Sequence, residues 1–285
     1  MVAEAGVGGR GLGAGKKPEG FDGAPGGRVE PGMPPPEQVE GGIVVEFHGA
    51  WKAFGRLQVL AGLDLQIRRR ETITIIGGSG SGKTVLLKLI VGLLKPEAGQ
   101  ILVEGEDIAP LTEAQLFRVR RRIGFLFQGA ALFDSLSVGE NVAYPLREHT
   151  RMDDAKIGAR VREVLGLVGL DGVEAKEPSA LSGGMRKRVG LARAIALAPS
   201  LILYDEPTTG LDPQNAEKIN DLIRDLQRKL GVTSVVVTHD MHSAFKVSDR
   251  IAMLRDGRIA ALGTPEELQR SSHEFVQDFI AGRIE

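Results

Sequence analysis

A lysine and a threonine stand behind a glycine run in Gly77-Gly78-Ser79-Gly80-Ser81-Gly82-Lys83-Thr84. The spacing is G-x-x-x-x-G-K-[ST], in which glycines let the backbone wrap an anion with its N–H groups and a helix N-terminus. Lys83 is then expected at the β- and γ-phosphates of a nucleoside triphosphate, and the Thr84 hydroxyl at Mg²⁺. Further on, the apolar run Leu201–Tyr204 ends in two adjacent carboxylates, Asp205 and Glu206. Beside a phosphate loop, Asp205 can hold Mg²⁺ through water and Glu206 can orient and deprotonate an attacking water. His239 closes another apolar run, Val235-Val236-Val237-Thr238, and Gln128 closes Phe125-Leu126-Phe127. At those strand tips a γ-phosphate contact for His239 and a Mg²⁺- and water-sensing role for Gln128 are expected. Taken singly, each of these strand-tip residues is better explained as a structural polar group.

These residues need strands that end together. Thr72–Ile76, Leu201–Tyr204 and Ser234–Thr238 have the length and apolar content of buried parallel strands, and Thr84–Leu94 follows the glycine loop with helical periodicity. Ile43–Phe47, Leu63–Ile67 and Gln100–Val103 read as further strands, and Ile251–Leu254 and Arg258–Leu262 flank a hairpin signal at Asp256-Gly257. From Ala130 to Leu181 the pattern is mostly helical and polar, an insertion between core strands. Met185, Val189, Ala192 and Ala196 share one face of the helix that follows. Thr264-Pro265-Glu266-Glu267 is a capping box with proline at the first helical position, and His273–Ile280 is an amphipathic helix expected to pack on its own domain.

Composition bounds the rest. The first 40 residues carry 11 of the 38 glycines and 6 of the 14 prolines, too little apolar content to offset ordering entropy, so segment 1–40 is expected to be a disordered tail. A net charge of −1 argues against nucleic acid as a partner, and the absence of cysteine removes disulfides, thiolate nucleophiles and cysteine zinc sites. No apolar run approaches the ~18–20 residues of a spanning helix, so any membrane role must come through a partner. The basic clusters Arg118–Arg122 and Arg186–Arg188 are expected to be solvated helix faces.

In this order the motifs resemble the ATP-binding cassette (ABC) family of transport ATPases over residues 43–262. The resemblance implies an α/β P-loop NTPase fold: a RecA-like, mostly parallel sheet core with an antiparallel β subdomain and a helical subdomain at about 130–195. The ATPase domain is placed at 41–285, with a C-terminal helical tail over 264–285. It also implies roles. Phe54 would stack on adenine, Gln128 would be the Q-loop glutamine, Asp205 and Glu206 the Walker B pair, and His239 the switch histidine. Ser182, Gly183 and Gly184 would hold the γ-phosphate of ATP bound by a second copy of the chain, through N–H groups at a helix start. Asp212, with Leu211, would be the D-loop at that dimer interface. Two chains, head to tail, would make two composite sites.

Three stretches narrow the resemblance: residues 127–133 (FQGAALF), 141–150 (NVAYPLREHT) and 181–185 (LSGGM) are similar to the cassettes of Mla/Mce-type lipid transporters. That family implies a permease, a periplasmic Mce-domain lipid-binding protein, phospholipid as cargo, and peripheral attachment to the cytoplasmic face of the inner membrane. A cassette for amino acids or another small molecule is the alternative, since a cassette does not touch cargo. A permease-free ABC ATPase and an ATP-gated scaffold that barely hydrolyses are the rivals from other classes. Long coiled-coil insertions or fused cassettes would mark the first, and loss of the carboxylate at Glu206 the second. Arg70 departs from the pattern, standing before Glu71 where cassettes usually have glycine, and a local turn adjustment without loss of activity is expected.

Overall fold

The computed structural model describes residues 42–283. The expected disordered tail, 1–40, lies outside the described residues. An antiparallel sheet is built from β1 (Ile43–Phe54), β2 (Leu57–Arg68), β4 (Ala98–Val103) and the short β5 (Glu106–Asp107), in the order β2-β1-β4-β5. Both β1 and β2 run further than the sequence patterns at Ile43–Phe47 and Leu63–Ile67 indicate. They form one hairpin in which Phe54 pairs with Leu57, and its exposed tip carries no alternation of buried apolar and solvated polar residues to read.

A second sheet has the order β10-β9-β3-β8-β7-β6, from β3 (Thr72–Ile76), β6 (Ile123–Leu126), β7 (Leu201–Asp205), β8 (Thr233–Thr238), β9 (Arg250–Arg255) and β10 (Arg258–Gly263). Its strands are parallel except edge strand β10, which returns antiparallel along β9 through the Asp256-Gly257 turn. The side-chain period of two assigns alternate residues to opposite faces. Leu201, Leu203, Val235 and Val237 join the core shared with the antiparallel sheet. Ile202, Tyr204 and Val236 join the core beneath the helices on the other face. Burial on both faces makes these strands near-continuous apolar runs.

The first core also takes α1 (Lys83–Ile90) and α2 (Glu113–Arg120). The α1 helix is shorter than the periodicity of Thr84–Leu94 implies, because Gly92 turns to φ 65° and ends it. The second core packs α3 (Val138–His149), α4 (Asp154–Leu167), α5 (Gly183–Ile195) and α6 (Pro213–Leu230). A third, smaller cluster sets α7 (Met241–Val247), α8 (Pro265–Gln269) and α9 (Glu274–Ile280) around Ile76, Ile251 and Met253. The capping box at Thr264 is formed, with Glu267 N–H donating to its hydroxyl and Thr264 N–H to the Glu267 carboxylate. In α9 the buried residues Phe275, Val276 and Phe279 pack against this same chain.

Two expectations need correction. The cluster Arg186–Arg188 is not a solvated face throughout: Lys187 is only 5% exposed, drawn inward by main-chain oxygens described below. Arg120 of the other cluster donates to the carbonyls of Val91 and Gly92, capping the end of α1. At Arg70 the backbone adopts φ 65°, the conformation that the family's usual glycine would take without strain. Its N–H donates to Thr233 Oγ1 at 2.9 Å, which holds the turn in place.

Candidate functional site

Parallel pairing brings the candidate residues to one edge. Ile76 pairs with Thr238, Asp205 with Val237 and Leu126 with Tyr204, so β3, β8, β7 and β6 end at nearly the same height. The segments that follow these carboxyl ends carry Gly77–Thr84, His239, Glu206 and Gln128 in turn. Ligands of open α/β sheets bind in this crevice. A cleft of about 830 Å³ lies there, lined by the whole of Gly77–Thr84 with Gln128, Glu206, His239 and Phe54. Phe54 is 47% exposed at the β1–β2 tip, with the Lys52 ammonium 5.4 Å from its ring centroid.

Glycine is sterically required at two points of the loop. Gly82 caps α1 at φ 103°, and a Cβ there would come within 2.6 Å of Val59 Cγ1. A Cβ on Gly77 would meet the Leu254 carbonyl oxygen at 2.6 Å. Lys83 is buried, and its ammonium donates to the carbonyls of Gly77 at 2.7 Å and Gly78 at 2.8 Å. Burial pushes this ammonium below the ordinary lysine range, against the attraction of Glu206 and Asp205. The Ser81 hydroxyl is buried without a hydrogen-bond partner, an orphaned donor within the loop.

Thr84 Oγ1 donates to Asp205 Oδ1 at 2.9 Å. Burial raises the Asp205 carboxyl above the usual range; the Thr84 bond opposes this and the charge of Glu206 adds to it. A carboxylate strained in this way gains from a cation. The hydroxyl and carboxylate are hard oxygen donors of the kind Mg²⁺ takes, together with water and substrate phosphate, so the pair fits that ion. Gln128 is exposed, on the loop beyond β6, and lines the cleft without touching this pair.

Glu206 follows Asp205 in the left-handed region, at φ 47°, with its N–H bonded to the Val237 carbonyl. The turn sends the two neighbouring carboxylates to different partners. Glu206 Oε2 accepts from Thr209 Oγ1 at 3.0 Å and Thr238 Oγ1 at 3.2 Å, while Oε1 lies 3.0 Å from His239 Nδ1. The carboxylate is thus oriented on both oxygens, and the imidazole keeps its other nitrogen free at an exposed position. A proton acceptor, an exposed imidazole and a phosphate cradle around one cleft can support attack of water on a terminal phosphate.

Ser182, Gly183, Gly184 and Asp212 do not line this cleft. Ser182 caps α5 by accepting from Met185 N–H, and Asp212 caps α6 by accepting from Asn215 N–H at 3.0 Å. That bond holds the Asp212 carboxyl below its usual range. The two helix starts touch: a Cβ on Gly184 would lie 3.3 Å from the Asn215 side chain, and one on Gly183 3.4 Å from Leu211 Cδ2. The two helix starts thus adjoin one another in the same chain, outside the lining of the first cleft.

Sequence reasoning missed several contributors. Thr209 and Thr238 hold Glu206, and the signal was available, since Thr238 adjoins His239 and Thr209 follows Glu206 by three residues. Lys187 carried none: its ammonium donates to the main-chain oxygens of Gln128 and Glu206, contacts that no spacing rule announces. Phe279 and Gly282 also border the cleft, brought there by α9.

The description ABC transporter belongs to the family model that matches residues 60–209. Over 242 residues the chain is 42% identical to a probable ribonucleotide transport ATP-binding protein, mkl, of Mycobacterium leprae, covering 85% of this chain and 70% of that relative. Over 220 residues it is 46% identical to the intermembrane phospholipid transport system ATP-binding protein MlaF of Haemophilus influenzae, covering 77% of this chain and 83% of MlaF. Among solved structures, it is similar to a dimeric ATP-binding cassette in a post-hydrolysis state bound to ADP and Pi. That match has TM-score 0.72 and 35% identity, over 78% of this chain and 98% of the other.

Proposed function

Because the chain belongs to the ABC transporter family, and so is the ATP-binding, ATP-hydrolysing subunit of a transporter, we propose that its cargo is phospholipid. The 46% identity to MlaF supports this, and the ribonucleotide named for the mkl relative, 42% identical over more of this chain, stands as the second reading. The partners of this reading are a permease and a periplasmic Mce-domain lipid-binding protein, with the ATPase held peripherally on the cytoplasmic face of the inner membrane. No helix among the described residues is long and apolar enough to cross a membrane. Exposed Phe127 and Phe133, on either side of Gln128 in the chain, and Tyr144 of α3 rim a cavity of about 470 Å³, a surface suited to a permease helix.

The observation that carries the hydrolytic mechanism is the Glu206 carboxylate, fixed by Thr209, Thr238 and His239 at the mouth of the phosphate loop. Lys83 exchanges the Gly77 and Gly78 carbonyls for β- and γ-phosphate oxygens, and Phe54 stacks on the base. Thr84 and Asp205 would hold Mg²⁺, which would supply neutralisation of the phosphate charge. Glu206 accepts the proton of the attacking water, Gln128 orients that water, and His239 meets the γ-phosphate with its free nitrogen. Ser182–Gly184 and Asp212 serve the nucleotide of a second copy, bound head to tail, a role supported by their position outside the chain's own cleft.

Purification with the cognate membrane complex in lipid nanodiscs tests the cargo. Phospholipid retained by the complex and a phospholipid-stimulated ATPase are expected. A permease that co-purifies with a solute-binding protein for a polar substrate, or retained ribonucleotide cargo, overturns it.

A further inference from the structure

Beyond Leu126 and Tyr204, the last residues that β6 and β7 pair, no sheet hydrogen bond joins the two strands. The segments that diverge there carry Gln128 on one side and Glu206 on the other. Lys187 spans the gap from a third element: one turn into α5, its Nζ donates to the Gln128 carbonyl and, at 3.1 Å, to the Glu206 carbonyl.

Burying an ammonium is costly unless it is well bonded, and both partners here are main-chain oxygens that no change of rotamer can withdraw. Burial lowers the affinity of Lys187 for its proton, while Asp205 and Glu206 favour the charged form through space. The Glu206 carbonyl belongs to a residue held at φ 47°, a conformation that needs support from its surroundings. A side chain serving stability alone could contact either loop. Contact with both fixes one loop relative to the other.

We propose that Lys187 is a positioning residue for hydrolysis, whose ammonium holds Gln128 and Glu206 in mutual register across the attacking water. The proposal rests on reading Glu206 as the base. It also ties the two candidate sites of one chain, because α5 begins at Ser182–Gly184: displacement of that helix start is transmitted to both carbonyls of the chain's own cleft.

The test is a steady-state ATPase titration of the full chain, with a fluorescent ATP analogue reporting affinity, for K187M, K187R and each change combined with E206Q. K187M is expected to lower kcat about 10- to 100-fold, as sub-ångström to ångström misplacement does, with KM and analogue affinity within about twofold. K187R, which keeps a charged donor, restores most of the turnover. In the E206Q background K187M adds less than about threefold, since both changes act on the same step. Unchanged kcat in K187M, a parallel loss of affinity, or a full multiplicative effect on E206Q overturns the proposal. If K187M does not fold, K187Q replaces it under the same criteria. Wild-type turnover by E206Q refutes the base assignment beneath the proposal, whereas wild-type turnover by K187M beside an impaired E206Q refutes the proposal alone.

Discussion

Replacing Glu206 by glutamine separates chemistry from architecture at one atom. The carboxylate has three polar neighbours: Thr209 Oγ1 at 3.0 Å, Thr238 Oγ1 at 3.2 Å and His239 Nδ1 at 3.0 Å. An amide in the same rotamer can accept from both threonines through its oxygen and donate to Nδ1 through its nitrogen, with the imidazole proton moved to Nε2. All three contacts survive, so the change in folding stability is expected to stay within about 1 kcal/mol, the net worth of one neutral hydrogen bond. What disappears is the proton acceptor. General-base catalysis contributes about 10²- to 10⁴-fold, which at ~1.4 kcal/mol per decade is ~2.7–5.5 kcal/mol of barrier. Phosphate release at saturating ATP should fall by that factor while the thermal midpoint and ATP affinity hold, and the nucleotide-bound dimer should accumulate in size-exclusion runs with ATP. Turnover within about threefold of the parent, in a protein that binds ATP normally, would falsify the assignment of the base.

Removing the ammonium in Lys83→Ala should weaken ATP binding about 10- to 100-fold, the value of one charge-assisted hydrogen bond to phosphate, read by fluorescent-analogue titration. An unchanged affinity would sink its role. Arg70→Gly relieves a left-handed residue worth ~1–2 kcal/mol at an entropic cost of ~0.5–1 kcal/mol. The variant should gain about 0.5–1 kcal/mol in urea unfolding, with ATPase activity retained. Glu71 titrates above the usual carboxylate range because burial outweighs the Arg68 backbone bond and the Arg250 ion pair at 3.2 Å. Its folded form therefore takes up a proton more readily than its unfolded form. The stability this lends is present below the unfolded value and fades as pH rises through the folded one, so Glu71→Gln should flatten that stretch of the stability–pH curve. An unaltered slope in chemical denaturation across mildly acidic pH would count against it.

Much of the catalytic edge was legible because its signals are local. The glycine loop is announced by its eight-residue spacing, although the atoms that crowd Gly77 and Gly82 belong to the distant Leu254 and Val59, and Thr72–Ile76, Leu201–Tyr204 and Ser234–Thr238 announce burial by apolar content alone. The extent of β1 and β2 was not legible, since the exposed half of that hairpin is held by register with a partner strand and by contacts such as Ala53 N–H to Glu97. Lys187 misled for a related reason. Helical spacing and charge place a lysine in solvent, and only the convergence of two loops from β6 and β7 supplies the oxygens that draw it inside. Where a residue's partner lies far along the chain, periodicity is silent.

The separation of Ser182–Gly184 from the cleft of their own chain has a genetic consequence in the proposed head-to-tail dimer. In that arrangement each chain would lend a cradle to one composite site and a helix start to the other. Defects in the cradle and in the helix start, carried on different chains of a mixed dimer, fall together in one site and leave its counterpart whole. Two chains that are each inactive as homodimers thereby complement one another. The same two defects on a single chain, paired with an unaltered chain, strike both sites at once.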